Sequence, residues 1–265
     1  MSKLRRFRVQ SLENLNPGDT FPIPTEEARH IRVLRLDPGT KIELFDLVGR
    51  TASATLLTDA KCDSQQMPPS KKEFLARIDA LCIASKKSLL LTLAVAWPKG
   101  KRAAFLVEKC SELGADRIIP VCYERSIVCK REPSESLNRL QRIAAEASKQ
   151  CGRNDILELS QEVSFEHVLA NELAGTYPIL LDPYSPCSLA AFLIESIMAK
   201  GMEDSLRQSI LLFIGPEGGL TSAELEAASK LKIPRVNLAK NVLRIETAAV
   251  AACSITRAIL GQGKK

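Results

Sequence analysis

The sequence predicts an α/β protein in two parts, a small β-barrel over residues 1–87 and an α/β domain with a mainly parallel sheet over residues 88–265. Three observations carry that expectation. Lys41–Phe45 and Glu73–Ile83 alternate apolar and polar residues with the period of two that half-buried strands show. Leu89–Ala96, interrupted only by Thr92, and Ile210–Ile214 are instead nearly continuous apolar runs, as expected of parallel strands buried on both faces. Between such runs lie segments with apolar residues at helical spacing, for example Leu137, Leu140, Ile143, Ala144 and Ala147.

Taken in order, Asp37-Pro-Gly39 and Val48-Gly-Arg50 are turn signals that divide the first part into short strands. The polar stretch Asp59–Lys72 reads as a long hairpin loop within the barrel, and Ser85-Lys-Lys-Ser88 as the linker. Strands are then expected at Leu89–Ala96, Arg117–Val121, Pro178–Leu181, Ile210–Ile214 and Arg235–Leu238. Helices are expected over Arg102–Leu113, Ser134–Gln150, Ser188–Met198, Ser222–Leu231 and Ile245–Leu260. His167 falls in what reads as a loop.

Composition narrows the function classes. With 265 residues, 45% of them hydrophobic, the chain can build a substantial core. It contains no run near the ~20 apolar residues of a membrane span, and its N-terminus lacks a signal-peptide core, so a cytoplasmic protein with no membrane partner is expected. Eight cysteines occur without a Cys-x-x-Cys pair and with only two histidines, which predicts scattered reduced thiols and no metal site. The net charge is +6, and residues 1–87 hold 15 Lys+Arg against 11 Asp+Glu. Lys3, Arg5, Arg6 and Arg8, with Arg29, Arg32 and Arg35, either neutralise phosphates of a nucleic acid or are solvated surface charges.

The stretch Ile214-Gly-Pro-Glu-Gly-Gly-Leu-Thr221 places three glycines and a proline at the carboxyl end of an expected strand. In an open parallel sheet that is where ligands bind, and glycines let backbone approach them closely. A tight strand-to-helix turn is the alternative. Thr221 and Glu224 form a Thr-x-x-Glu capping box that marks the following helix start. Neither Gly-x-x-x-x-Gly-Lys-Ser/Thr nor a Gly-x-Gly-x-x-Gly after a strand is present, which disfavours an ordinary kinase, NTPase or Rossmann dehydrogenase.

Further motifs occur along the whole chain: His30-Ile-Arg-Val-Leu-Arg35, Pro98-Lys-Gly100, Glu108–Val121, Glu146–Arg153, Leu181-Asp-Pro183, Ile214–Glu224 and Val242–Ala249. In this order they resemble the bacterial 16S ribosomal RNA (uracil-N3)-methyltransferase family of the SPOUT superfamily. The resemblance implies a PUA-like N-terminal barrel that binds RNA, with Arg5, Arg6, Arg8, His30, Arg32 and Arg35 as candidates. It also implies a C-terminal trefoil-knotted domain that binds S-adenosylmethionine through Leu181, Asp182, Pro183, Ile214, Gly215, Pro216, Glu217, Gly218, Gly219, Leu238, Asn241, Val242 and Leu243. Arg244, Arg153 and Glu217 are the implied catalytic candidates, and the resemblance further implies a homodimer paired through the C-terminal domain that acts on 16S ribosomal RNA or the small ribosomal subunit. Two positions depart from the family pattern, Ala239 where glycine is usual and Ile245 where threonine is. The Cβ of Ala239 predicts a less permissive loop. An RNA-binding assembly factor without turnover and a small-molecule α/β enzyme are the other function classes, separated by cofactor binding and by salt-sensitive RNA binding.

Overall fold

A computed structural model of the chain describes residues 4–46, 49–58, 74–83, 89–126, 135–198 and 209–261. The expected hairpin loop at 59–72 and the linker at 85–88 lie outside the described residues. The chain divides into two compact units, residues 1–86 with 148–156, and residues 87–147 with 157–265. Sequence reading placed 148–156 in the second domain; they pack with the first.

In the first unit, β1 (Arg5–Arg8), β2 (Thr20–Pro22), β3 (Lys41–Phe45), β4 (Arg50–Thr58) and β5 (Phe74–Ile83) form one sheet in the order β1-β3-β4-β5-β2. Only the β1–β3 pair is parallel. Period-two alternation sends Ile42, Leu44, Ala54, Leu56, Ala76 and Ile78 inward, where helix α1 (Thr25–Val33) adds Ala28 and Ile31. Burial of each large apolar side chain contributes roughly 1.5–3 kcal/mol. Asp46 is fully buried and accepts from the backbone N–H groups of Leu12 (3.2 Å) and Arg50 (2.9 Å), which ties the segment after β1 to the start of β4.

The second unit is built on a parallel sheet of β6 (Leu90–Ala96), β7 (Arg117–Cys122), β8 (Glu158–Leu159), β9 (Val163–Ser164), β10 (Tyr177–Leu181), β11 (Ser209–Ile214) and β12 (Arg235–Val236). The order is β12-β10-β11-β6-β7-β8, with β9 also pairing with β7. Its helices are α2 (Lys101–Glu112), α3 (Glu135–Cys151), α4 (Phe165–Asn171), α5 (Leu189–Met198), α6 (Ser222–Lys230) and α7 (Ile245–Leu260). The last residues of α3 belong to the first unit. Ala249, Ala252, Cys253 and Thr256 form the buried stripe of α7, which packs on α2, α5 and β6. Its last turn is anchored by Arg257, which donates to the carbonyl of Leu89 (3.0 Å) and pairs with Asp116 (2.6 Å).

Helix α1 of the first unit, read as strands and turns, was not expected, nor were β8, β9 and α4 of the second; two-residue strands such as β8 and β9 carry no readable period. His167 stands in the first turn of α4, not in a loop, and its N–H donates to the capping hydroxyl of Ser164 at 3.1 Å. Strand β12 ends at Val236, two residues before the expected end. Asn237 leaves the sheet to bridge Ser188 instead. Cys82, Cys110, Cys151, Cys187 and Cys253 form no disulfide, whereas Cys122 is disulfide-bonded, contrary to the all-reduced expectation.

Candidate functional site

The carboxyl ends of β10, β11 and β12 open into a cavity of about 310 Å³, the position at which open parallel sheets bind ligands. All thirteen residues expected from the resemblance to contact a cofactor line it, on three separate loops.

The first loop follows β10. Asp182, 5% exposed, accepts from the guanidinium of Arg235 (Nε, 2.9 Å) and from the N–H of Tyr184 (3.0 Å), so a buried carboxylate locks the turn. The third loop, after β12, is tied to the first. Asn237 donates from its N–H to the carbonyl of Cys187 (2.8 Å) and from its amide to that of Ser185 (2.6 Å), and Leu189 N–H donates to Asn237 (2.8 Å). Ala239 lines the cavity and its backbone is not left-handed.

The glycine loop is the middle wall. Gly219 N–H donates to the carbonyl of Pro216 (2.9 Å), and Gly219 itself has φ +71°, a conformation that side chains resist. The capping box then starts α6: Glu224 accepts from Thr221 N–H (2.8 Å), and Thr221 Oγ1 accepts from Glu224 N–H (3.3 Å). The other Glu224 oxygen accepts from Glu124 N–H (2.9 Å), fastening the chain after β7 to this wall. Tyr123 beside it is fully buried, and burial pushes its phenol well above the usual range, leaving it a neutral donor to the Ala94 carbonyl (3.2 Å).

The catalytic candidates separate. Glu217 lines the cavity and pairs with Arg102 at 3.1 Å. Arg244 is exposed at the N-cap of α7, between the cavity residues Leu243 and Ile245. It does not pair with Glu246, which is buried and faces Arg102 at 3.9 Å. Arg153 belongs to the first unit, where its side chain, 12% exposed, pairs with Asp155 at 2.6 Å. Buried Cys110 is no nucleophile, because burial raises its thiol well above the usual range.

Of the candidate RNA-binding residues, Arg5, His30 and Arg35 are exposed and Arg8 is partly so. Arg32 stacks on the Phe74 ring, 5.5 Å from its centroid. Arg6 is a correction. Its side chain is 6% exposed, pairs with Glu43 (3.3 Å), and donates to the Arg153 carbonyl (2.8 Å) and to Asn154 (2.5 Å), so its charge is spent inside the unit.

Sequence reasoning missed Arg102, Arg125 and Arg235. Only Arg102 left a signal: a cation in the first turn of a helix opposes the helix dipole, which calls for a carboxylate from elsewhere. Among the described residues no group of three or more His, Cys, Asp or Glu side chains is placed to hold a metal ion, and no helix is long and apolar enough to cross a membrane.

A small β-domain and a parallel sheet with a backbone-walled cavity at its strand ends define a two-domain α/β protein with a ligand site in the second unit. The RNA methyltransferase domain family matches residues 85–257, more than half of the chain, and the RNA methyltransferase PUA domain matches residues 23–61. The chain belongs to this RNA methyltransferase family. It is 29% identical over 258 residues to ribosomal RNA small subunit methyltransferase E of Bacillus subtilis, covering 94% of each chain. It is 28% identical over 248 residues to the Synechocystis protein of the same name, covering 91% of this chain and 74% of that one. Among solved structures, ribosomal RNA small subunit methyltransferase E of Neisseria gonorrhoeae bound to S-adenosylmethionine superposes with a TM-score of 0.78 at 27% identity, over 97% of this chain and 98% of that one. A Legionella pneumophila methyltransferase with bound S-adenosylmethionine does so with 0.76 at 25% identity, over the same shares.

Proposed function

We propose that the protein transfers a methyl group from S-adenosylmethionine to N3 of one uridine in the 16S RNA of the small ribosomal subunit, in the cytoplasm. The observation that carries this reading is the convergence of three loops, distant in sequence, on one cavity at the strand ends of an RNA methyltransferase family member. The cavity suits the cofactor: its volume is that of a small-ligand site, and backbone and apolar side chains make up most of its lining. Leu181–Pro183, Ile214–Gly219 and Leu238–Leu243 would hold it. Bound S-adenosylmethionine supplies an electrophilic methyl group on a sulfonium.

The chain's own residues have two tasks. They align the uracil with the methyl group, and they manage the N3 proton. Arg244, exposed at the cavity lip, stabilises the uracil anion at O2 and O4, while its permanent charge disqualifies it as a base. Glu217 accepts the proton or orients the base, held in place by Arg102. Hydrogen bonds of Asn237 with Ser185, Cys187 and Leu189 hold the first and third loops together at this site.

The working unit in this reading is a homodimer, with Arg153 of one protomer serving the site of the other. Exposed Ile194 and Met198 on α5 offer apolar surface for pairing. Ala249 and Ala252 of α7 are buried in their own unit and contribute nothing to it. The test is mass spectrometry of 16S RNA from a strain lacking the protein. One 3-methyluridine should be missing and should return when the purified protein and S-adenosylmethionine are added; an unchanged modification pattern would sink the proposal.

A further inference from the structure

Four charged side chains line the cavity: Arg125, Asp182, Glu217 and Arg235. Asp182 and Arg235 neutralise one another, and Glu217 is neutralised by Arg102. Arg125 is left without a carboxylate partner among the described residues. Its Nη1 donates to the carbonyl of Gly218 at 3.0 Å, which aims the side chain along the glycine loop. A guanidinium carries five N–H donors, so most of the fork remains available to the cavity.

The backbone beneath Arg125 is fixed. Tyr123 N–H donates to Ser126 Oγ (3.0 Å), Ser126 N–H returns to the Tyr123 carbonyl (3.0 Å), and Glu124 N–H is held by buried Glu224 (2.9 Å). A prepositioned cation on the wall of an otherwise charge-balanced cavity favours a ligand with an anionic group at that spot. S-adenosylmethionine has one such group, the carboxylate of its amino-acid end.

We infer that Arg125 is a specificity-determining residue that binds the carboxylate of the cofactor through a forked, charge-assisted hydrogen bond. The inference rests on the reading that this cavity takes S-adenosylmethionine. Because Arg125 is exposed, replacing it should leave the fold intact, which thermal melting checks.

The experiment is titration calorimetry of the full-length protein with S-adenosylmethionine and with its decarboxylated analogue, which keeps the adenosine and the sulfonium. Wild type should prefer the carboxylated ligand by roughly tenfold or more. Arg125→Ala should lose about that factor for S-adenosylmethionine and little for the analogue, so the preference collapses, while Arg125→Lys retains part of it. Equal losses for both ligands would mean a structural role and would overturn the assignment. So would unchanged cofactor affinity with a reduced salt dependence of 16S RNA binding, which would make Arg125 a phosphate contact. If wild type bound both sulfonium ligands equally, the carboxylate assignment alone would fail; if it bound neither, the cofactor reading would fail with it.

Discussion

Two adjacent glycines in one loop have different reasons to be glycine. At Gly219 an added Cβ meets nothing within 4 Å, but φ is +71°. Gly219→Ala should therefore cost about 1 kcal/mol in chemical denaturation through backbone strain, with the cavity left open. At Gly218 an added Cβ would lie 3.3 Å from the Cβ of Arg125. Gly218→Val should push that residue aside and weaken S-adenosylmethionine binding in calorimetry while stability stays near wild type. The reverse pattern, with Gly219 controlling affinity and Gly218 stability, would show that the loop is built differently. The arginines of β1 divide in the same way. Arg6→Ala strands Glu43 and the Arg153 carbonyl and should lower stability by about 2–3 kcal/mol. Arg5→Ala, at an exposed position, should change stability by under about 0.5 kcal/mol but lower the slope of RNA affinity against salt. A large stability loss for Arg5→Ala would contradict this division.

Helix α6 carries the glycine loop, so its start is where local helix chemistry meets the site. Thr221→Ala removes an N-cap and should cost about 1 kcal/mol. Glu224→Ala should cost more, about 2–3 kcal/mol, because Glu224 also satisfies Glu124 N–H and the variant leaves a donor unpaired in each of two segments. Only the Glu224 change should also reduce cofactor affinity, since it releases the chain that carries Arg125. Thermal melts with and without S-adenosylmethionine distinguish the two: the ligand-induced rise should persist in Thr221→Ala and shrink in Glu224→Ala. Equal rises would confine Glu224 to capping.

The dimer proposal belongs to the whole molecule. If sites are composite, mixing inactive Arg153→Ala and Arg244→Ala proteins and allowing subunit exchange should restore part of the activity, because some heterodimers hold one intact site. Arg153 is paired with Asp155 in its own unit, so the Arg153→Ala protein must first be shown to melt like wild type. Methylation assays on 16S RNA, with exchange confirmed by native mass spectrometry, provide the readout. Absence of recovery would place both arginines in one chain's site or make one of them structural.

The sequence by itself determined the succession of the longer strands and helices in the second unit, all but β8, β9 and α4, because burial imprints a period on side chains that are neighbours along the chain. Ile245–Leu260 was legible in full, and Ile210–Ile214 to within one residue. The three cavity loops were legible through motif resemblance, and all of them lie at strand ends, where backbone is free to bind ligand. Only the tertiary structure decided the sheet order that inserts β11 between β10 and β6, the return of residues 148–156 to the first unit, and the charges that balance the site. Arg235 meets Asp182 across 53 positions, Arg125 meets Gly218 across 93, and Arg102 meets Glu217 across 115. An arginine reads the same in sequence whether water surrounds it or a buried partner holds it, as Arg5 and Arg6 show side by side. Its role is set by which distant segment the fold brings within hydrogen-bonding reach, and a local pattern carries no record of that.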